Sequence, residues 1–383
     1  MICGAGIGGL TAAIALRKVG VDVTVYERVP EIRGIGAGIS LWANAMKALR
    51  ALGLADRIAA RGFPLGKMLT KNRHGRVLNR MDVGAMSAAH GHASVCIHRA
   101  DLQAELLAAL PAGVVISGRG VIGVAPDESG VSATFEGGHQ DRADILIGAD
   151  GIRSAVRAAT VGGGAPIYAG YTAWRGIAPI PSDIPEDELG QLAMGPACQV
   201  AFVRCGPDRL YWFITDNAPE GGGAGEDHRA TALACLDGWE GGGPYRQVIA
   251  STPSEHVLRN DVYSIEPLST WGRGRVTLLG DAAHATTPNL GQGGCMAIED
   301  ALAIAAALRG VNDPVPALRA YEESRLERTT YVIEQSKVMG FMLQLENPIA
   351  VYLRDYAMTL SMSTQRYGKL MDVLLAYEPP SLA

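Results

Sequence analysis

The chain has 383 residues, 48 % of them apolar and 19 % charged, with 48 Gly, 20 Pro, 6 Cys and a formal net charge of −5. So large an apolar share with so little charge excludes a disordered chain and provides ample core for one large domain or two intimate ones. The negative balance argues against a nucleic-acid partner or an anionic membrane surface. The longest apolar stretches, such as 301–308, fall well short of the roughly 18–20 residues of a membrane span.

The cysteines, at 3, 96, 198, 205, 235 and 295, form no C-x-x-C pair and no zinc-type spacing with histidine. Reduced thiols, a cytoplasmic location, no disulfide framework and no metal are therefore expected. Glycine is abundant but lacks the triplet period of collagen, so its excess suits tight turns and close approach of backbone to a ligand. No signal peptide precedes the first motif. Only Met1, Ile2 and Cys3 stand before it, fewer than such a strand normally has, and missing native N-terminal residues are expected.

Residues 4–9 read Gly-Ala-Gly-Ile-Gly-Gly, a G-x-G-x-x-G with Gly4, Gly6 and Gly9 in place. Alone the pattern is weak. Its context strengthens it: residues 10–16 are good helix formers, Gly20 ends that helix, and 21–26 alternate as a strand closed by Glu27. This is a βαβ dinucleotide unit. Gly4 permits the turn, Gly6 lets backbone approach a pyrophosphate, and Gly9 lets helix and strand pack closely. The helix N-terminus offers free N–H groups to the phosphates, and Glu27 suits an adenosine ribose. The cofactor at this point is NAD or FAD.

Two later segments end an apolar strand in an acid beside glycine. Residues 143–157 contain Asp150-Gly151 and then an Arg-bearing helix, and 275–300 contain Gly280-Asp281, a Pro-containing loop and a second glycine cluster at 291–294. Between them, 168–265 has a different texture. Residues 171–177 read as a strand, and 199–204 with 209–214 read as a hairpin around Gly206-Pro207-Asp208. Alternation puts Tyr211 and Phe213 on one face and Trp212 on the other. After 300 the chain reads as helices over 296–309, 313–346 and 348–376, with Pro348 breaking the last two.

With those three motifs in order, the sequence resembles the single-component flavoprotein aromatic hydroxylases of the p-hydroxybenzoate hydroxylase-like fold. Within them it is most similar to the branch of urate hydroxylases, zeaxanthin epoxidases and salicylate- or hydroxynicotinate-type monooxygenases. The resemblance spans nearly the whole chain. It implies an α/β architecture in which a Rossmann-type FAD-binding domain (1–167 and 266–345) is interleaved with a mainly antiparallel β-sheet substrate domain (168–265), followed by C-terminal helices (346–383). It also implies tight non-covalent FAD, NADH or NADPH as a transient reductant, and dioxygen. One oxygen atom would pass, through a flavin hydroperoxide, to an electron-rich aromatic or N-heteroaromatic small molecule. The chain would act as a monomer or homodimer.

Carried onto matching positions, the resemblance gives Gly8, Glu27 and Arg28 to the pyrophosphate and adenosine ribose, and Val121 to the adenine side. Arg99 goes to the ribityl or phosphate region, Asp281 to the ribityl and pyrophosphate side, and Ser40 to the loop beside the flavin. Asp150 would lie near both FAD and the nicotinamide path. Gly291, Gln292, Gly293, Gly294 and Cys295 would line the isoalloxazine, where the following helix N-terminus opposes negative charge on the reduced ring. Tyr211 and Pro288 are the candidates at the substrate. Urate-type members carry an acid where Asn289 stands and an arginine near Gln199, so a less charged aromatic than urate is expected here.

Blander roles are expected for His284 (packing behind the flavin), for His98 (a polar loop residue), for Met339, Met342, Met358 and Met362 (core) and for the 221–225 glycine run (a surface loop or lid). G-x-S-x-G, H-E-x-x-H and P-loop patterns are absent from the sequence. Epoxidation of a non-aromatic double bond, inactivation of a tetracycline-type antibiotic, a plain NAD-dependent dehydrogenase and a non-catalytic flavin protein remain the alternatives.

Overall fold

The computed structural model describes residues 1–32, 37–222 and 227–382, with backbone alone at 361–366. Most of the 221–225 glycine run and the Met362 side chain thus lie outside the described residues. Five short parallel strands form one sheet in the order Val276–Leu278, Leu146–Gly148, Ile2–Cys3, Val25–Glu27, Val115–Ser117. Each of the first four is fully or almost fully buried, as expected of parallel strands covered on both faces. Cys3 pairs with Gly148 and Gly148 with Leu278, so the three glycine motifs leave the sheet side by side on one register line. That line is the carboxyl edge, where open α/β sheets bind ligands.

The helix Ile7–Lys18 follows the first motif and packs on the helix Gly293–Leu308 that follows the third. Gly8 makes this packing possible, since a Cβ there would lie 2.6 Å from Leu279 Cδ2 and 3.1 Å from Ala297 Cβ. The fold is interleaved: the strand Val276–Leu278 returns to the parallel sheet after a second, seven-stranded sheet has been built.

That second sheet runs Leu258–Ser264, Ile167–Pro179, Arg209–Asn217, Cys198–Arg204, Gly190–Met194, Lys67–Asn72, Val77–Asp82, antiparallel except for the fifth and sixth strands. Its last two strands come from early in the chain, far from the 168–265 stretch that reads as strand-rich. One face carries Trp174, Ala178, Phe202, Trp212 and Ile214 beneath the helices His228–Ala234 and Gly243–Ala250. Each fully buried side chain of this size contributes about 1.5–3 kcal/mol. The opposite face carries Tyr211, Ile177 and Val203, which pack with Cys96 and Trp42 of the other half.

Two three-stranded sheets complete the half built on the parallel sheet, one of Gly38–Leu41, Val95–His98 and Phe63–Pro64, the other of Val121–Pro126, Val131–Phe135 and Gln140–Ala143. The C-terminal part is a long helix Pro314–Leu343 followed by Pro348–Met358 and Ser361–Leu375. Pro348 opens rather than interrupts a helix, a position where its missing N–H costs nothing. Among the described residues no helix is long and apolar enough to cross a membrane, and no cluster of three potential metal ligands occurs. All six cysteines are unpaired.

Candidate functional site

The fingerprint glycines have separate physical reasons. Gly4 has φ +111°, and a Cβ there would sit 2.2 Å from Ala149 O, where the second motif passes. A Cβ on Gly9 would lie 2.0 Å from Gly4 O. At Gly6 a Cβ would meet nothing within 4 Å, so the packing of the described residues does not itself require glycine there. The helix Ile7–Lys18 has no side-chain cap at Gly6, which leaves its first N–H groups for an anion.

Glu27 ends its strand and turns back onto this loop. Its carboxylate accepts from Ala5 N at 2.7 Å and Val29 N at 3.1 Å, while Gln103 Nε2 donates to Ala5 O at 3.0 Å. Arg28 beside it is exposed. Val121 lies in the outer three-stranded sheet, two residues beyond Arg119, whose N–H donates to Glu27 O at 2.7 Å. Arg99 opens the helix Arg99–Ala108 with an exposed side chain, and its N–H donates to Ala37 O at 3.0 Å. His98 is the N-cap of that helix, its Nδ1 accepting from Ala100 N at 3.2 Å.

Asp150 has structural work of its own. Ser154 Oγ donates to it at 2.5 Å and Val156 N at 3.2 Å, so it braces the start of the helix Ala155–Thr160. Asp281, by contrast, is exposed at the start of the short helix Asp281–His284. A Cβ on Gly293 would lie 3.9 Å from its Oδ1, which places the third motif against the second glycine cluster.

The cluster itself forms a second open helix end. Gly291 has φ +63° and a Cβ on it would strike Trp42 Nε1 at 2.8 Å. The helix Gly293–Leu308 then begins with no side-chain cap and no acid in its first turn. Gln292 Nε2 and Trp42 Nε1 are buried donors without partners among the described residues. Cys295 Sγ donates to Ser40 O at 3.6 Å, and a Cβ on Gly294 would lie 2.8 Å from Ile39 Cδ1. The strand Gly38–Leu41 thus lies along this end. Burial pushes the Cys295 thiol up to about 12, so it is a packed, protonated thiol and no nucleophile.

The seven-stranded sheet closes over the same place. A Cβ on Gly38 would sit 2.4 Å from Tyr211 Cβ, so Tyr211 rests directly on that strand, with Phe213 beside it at 5.9 Å between ring centroids. Burial raises the Tyr211 phenol to about 12 despite the opposing pull of Arg175. Pro288 is exposed and begins the turn Pro288–Leu290. The next residue, Asn289, donates to Tyr171 Oη at 2.9 Å, linking the loop to the sheet.

Beneath the loop lies a buried ionic network that sequence reading did not find. Asn44 Nδ2 donates to Gln292 Oε1 at 2.9 Å and to Glu299 Oε1 at 2.6 Å. Glu299 pairs with Arg325 at 2.6 Å and Arg328 at 2.7 Å, and Asp300 pairs with Arg325 at 2.7 Å. His284, fully buried, meets Asp300 at 2.5 Å, and Gly280 N donates to the same carboxylate at 3.0 Å. Burial would raise both carboxyls, but the cations win: Asp300 is held down at about 2 and Glu299 below its ordinary value. The only sequence signal was Glu299-Asp300 at the end of the third motif and Arg325 three residues before Arg328 on one helix face. Met339 and Met358 pack with Leu78, Met194 and Leu343, whereas Met342 is exposed.

Comparison with known proteins agrees with this geometry. A family profile described as the FAD binding domain matches residues 1–168 and 264–336. The chain is 37 % identical over 366 residues to an aurachin C monooxygenase/isomerase of Stigmatella aurantiaca, covering 96 % of this chain and 94 % of that protein. It is 35 % identical over 342 residues to an FAD-dependent urate hydroxylase of Klebsiella pneumoniae, covering 88 % of each. Identity to a 6-hydroxynicotinate 3-monooxygenase of Bordetella bronchiseptica is 31 % over 358 residues, covering 91 % and 92 %. Among solved structures, Klebsiella pneumoniae HpxO complexed with FAD and uric acid superposes with a TM-score of 0.90 at 33 % identity, covering 99 % of this chain and 97 % of that one.

Proposed function

Since the chain belongs to the FAD binding domain family and is an FAD-dependent monooxygenase, we propose that NADH or NADPH reduces its flavin transiently. One atom of dioxygen then goes to an electron-rich aromatic or N-heteroaromatic small molecule. The observation that carries this reading is the alignment of three glycine motifs on one carboxyl edge, roofed by a sheet face bearing Tyr211. Bound FAD supplies the redox chemistry and the activation of dioxygen.

The residues fit the group. Open space at Gly6 and uncapped N–H groups suit the pyrophosphate, with Gly4, Gly8 and Gly9 holding the turn and the helix packing. Glu27 and Arg28 suit the adenosine ribose, Val121 the adenine side, Arg99 and Asp281 the phosphates and ribityl chain. Asp150 acts through the backbone it braces. Ser40 and residues 291–295 would flank the isoalloxazine, with the unpartnered Gln292 Nε2 as a donor toward it. The uncapped N-terminus of Gly293–Leu308 opposes the negative charge that reduction brings.

For the substrate, Tyr211 holds its proton throughout the neutral range and donates a hydrogen bond to a ring oxygen or nitrogen, orienting the carbon to be oxidised. Pro288, on the exposed turn, borders the same space. The face between Tyr211 and Trp42 is apolar enough to exclude water. The protein works in the cytoplasm as a monomer or homodimer.

The test is the bleaching of bound flavin by NADH and NADPH with a panel of phenols and N-heteroaromatics, followed by turnover under oxygen-18 gas. Substrate-accelerated bleaching and one labelled oxygen in the product are expected. A protein that binds no FAD, or a product without label, refutes the proposal.

A further inference from the structure

We propose that Asn44 is a positioning residue for the flavin: it decides which way round the Gln292 amide lies, so that Nε2 is presented to the bound ring as a donor. The inference deepens the monooxygenase reading and rests on it. Asn44 is the second residue of the helix Ala43–Ala51, which follows the strand Gly38–Leu41 and packs on the helix Gly293–Leu308. Asn44, Gln292 and Glu299 are each at most 1 % exposed. The donors and acceptors they offer one another therefore decide how each is turned.

The bonds leave one arrangement. Glu299 Oε1 accepts from Arg328 Nη2 at 2.7 Å, and Oε2 accepts from Arg325 Nη2 at 2.6 Å and Arg328 Nε at 2.7 Å. Burial would raise this carboxyl, but the two cations hold it below its ordinary value, and an ionised carboxylate only accepts. Asn44 must therefore turn its NH2 toward Glu299 Oε1, at 2.6 Å. The second hydrogen of the same Nδ2 goes to Gln292 at 2.9 Å. Since an N–H needs an acceptor, Gln292 must present Oε1. Its Nε2, on the other branch of the planar amide, turns away from the network and has no partner among the described residues. Reversing either amide would set donor against donor or oxygen against oxygen. Asn44 Oδ1 is also without a partner among the described residues, so this amide forgoes an acceptor bond to make both donor bonds. The charge on Glu299 is passed on, through one amide, as the direction of the Gln292 N–H beside the residues that would flank the isoalloxazine. A fixed donor there gains most when the ring carries negative charge.

The distinguishing substitution is Asn44→Asp, which keeps the size of the side chain. An amide NH2 has two hydrogens, whereas a carboxyl group beside Glu299 has at most one. Glu299 takes that one, residue 44 offers Gln292 an oxygen, and the Gln292 amide inverts to donate to it. The test measures the midpoint potential of flavin bound to the FAD-loaded protein. In Asn44→Asp and in Gln292→Met, affinity for reduced FAD should fall about tenfold more than affinity for oxidised FAD. That ratio lowers a two-electron potential by about 30 mV. The double variant should lie no lower than either single one, because both remove the same donor. Asn44→Ser and Gln292→Leu take over should either variant not fold. An unchanged potential in either single variant, with or without a loss of stability, would overturn the inference, and so would shifts that add in the double variant. A protein that binds no FAD fails the monooxygenase reading instead, so the two failures are distinguishable.

Discussion

Glycines four, six and nine look alike in the fingerprint and differ in what they do. Gly9→Ala forces a Cβ to 2.0 Å from Gly4 O, a backbone clash that should destabilise even the FAD-free protein by about 1–3 kcal/mol or more. Gly6→Ala meets nothing, and Gly6 already has φ −71°. The FAD-free variant should therefore stay within about 0.5 kcal/mol of the parent, while its FAD affinity falls about tenfold or more, roughly 1.4 kcal/mol per decade. Urea unfolding of the apoproteins and FAD titration separate the two effects; equal behaviour of the variants would contradict the assignment. Tyr211→Phe should lower kcat/KM about tenfold through loss of one hydrogen bond. The phenol is raised from 10 to about 12, so its protonated form stabilises the fold below pH 10 and that contribution is lost as pH rises through about 12. The alkaline limb of the pH–rate profile should accordingly be the same in the Phe variant. The fingerprint was legible because its glycines answer local constraints. The bracing of the helix Ala155–Thr160 by Asp150 was not, because which backbone and side-chain donors an acid meets depends on partners that no local pattern encodes.

The helix Gly293–Leu308 joins the glycine cluster at 291–294 to the buried network through consecutive residues, Glu299 and Asp300. Arg325→Met leaves both carboxylates without their shared cation and should cost about 3–5 kcal/mol; the double variant with Glu299→Gln should recover part of this, measured as a double-mutant cycle. Asp300 is depressed from 3.8 to about 2 by His284 and Arg325, against burial. A lowered carboxyl contributes stability that is complete above pH 3.8 and is lost as pH falls through about 2. Asp300→Asn should remove that part of the acid-unfolding curve, and an unchanged slope between those values would refute the assignment. The helices over 296–309 and 313–346 were readable to within three residues from apolar periodicity and proline positions, but the single helix expected over 348–376 is two, Pro348–Met358 and Ser361–Leu375. The burial of Arg325 and the half-burial of Arg328 were not readable, because a charge-laced helix reads as solvated until another helix brings acids against it. The strands Lys67–Asn72 and Val77–Asp82 escaped for a related reason, since they complete a sheet whose other members all lie beyond residue 166.

At the scale of the whole molecule, the interleaving could be read because each strand of the parallel sheet that meets the ligand carries its own glycine signature at its end. The C-terminal segment carries none, yet it closes the assembly from behind. Leu374 O accepts from Arg328 Nη2 at 2.8 Å, the Tyr377 ring lies 5.0 Å and 4.9 Å from the guanidinium carbons of Arg325 and Arg328, and Glu378 pairs with Lys47 at 2.5 Å. Those two arginines hold Glu299, Glu299 and Gln292 share the Asn44 amide, and Gln292 sits in the glycine cluster. The C-terminal segment is thereby connected to the glycine cluster at 291–294 through the arginine network. Ending the chain after Asp372 removes the carbonyl acceptors, the ring and the Lys47 partner together, and exposes the arginines to water. Both sheets should persist by circular dichroism, because their strands and covering helices lie elsewhere, while FAD affinity should fall about tenfold. Tyr377→Ala alone deletes only the cation–π contacts, about 0.5–2 kcal/mol, and should give a smaller loss in the same direction. FAD titration of the two proteins decides the matter: affinity equal to the parent in both would show that the tail packs on the network without supporting the loop.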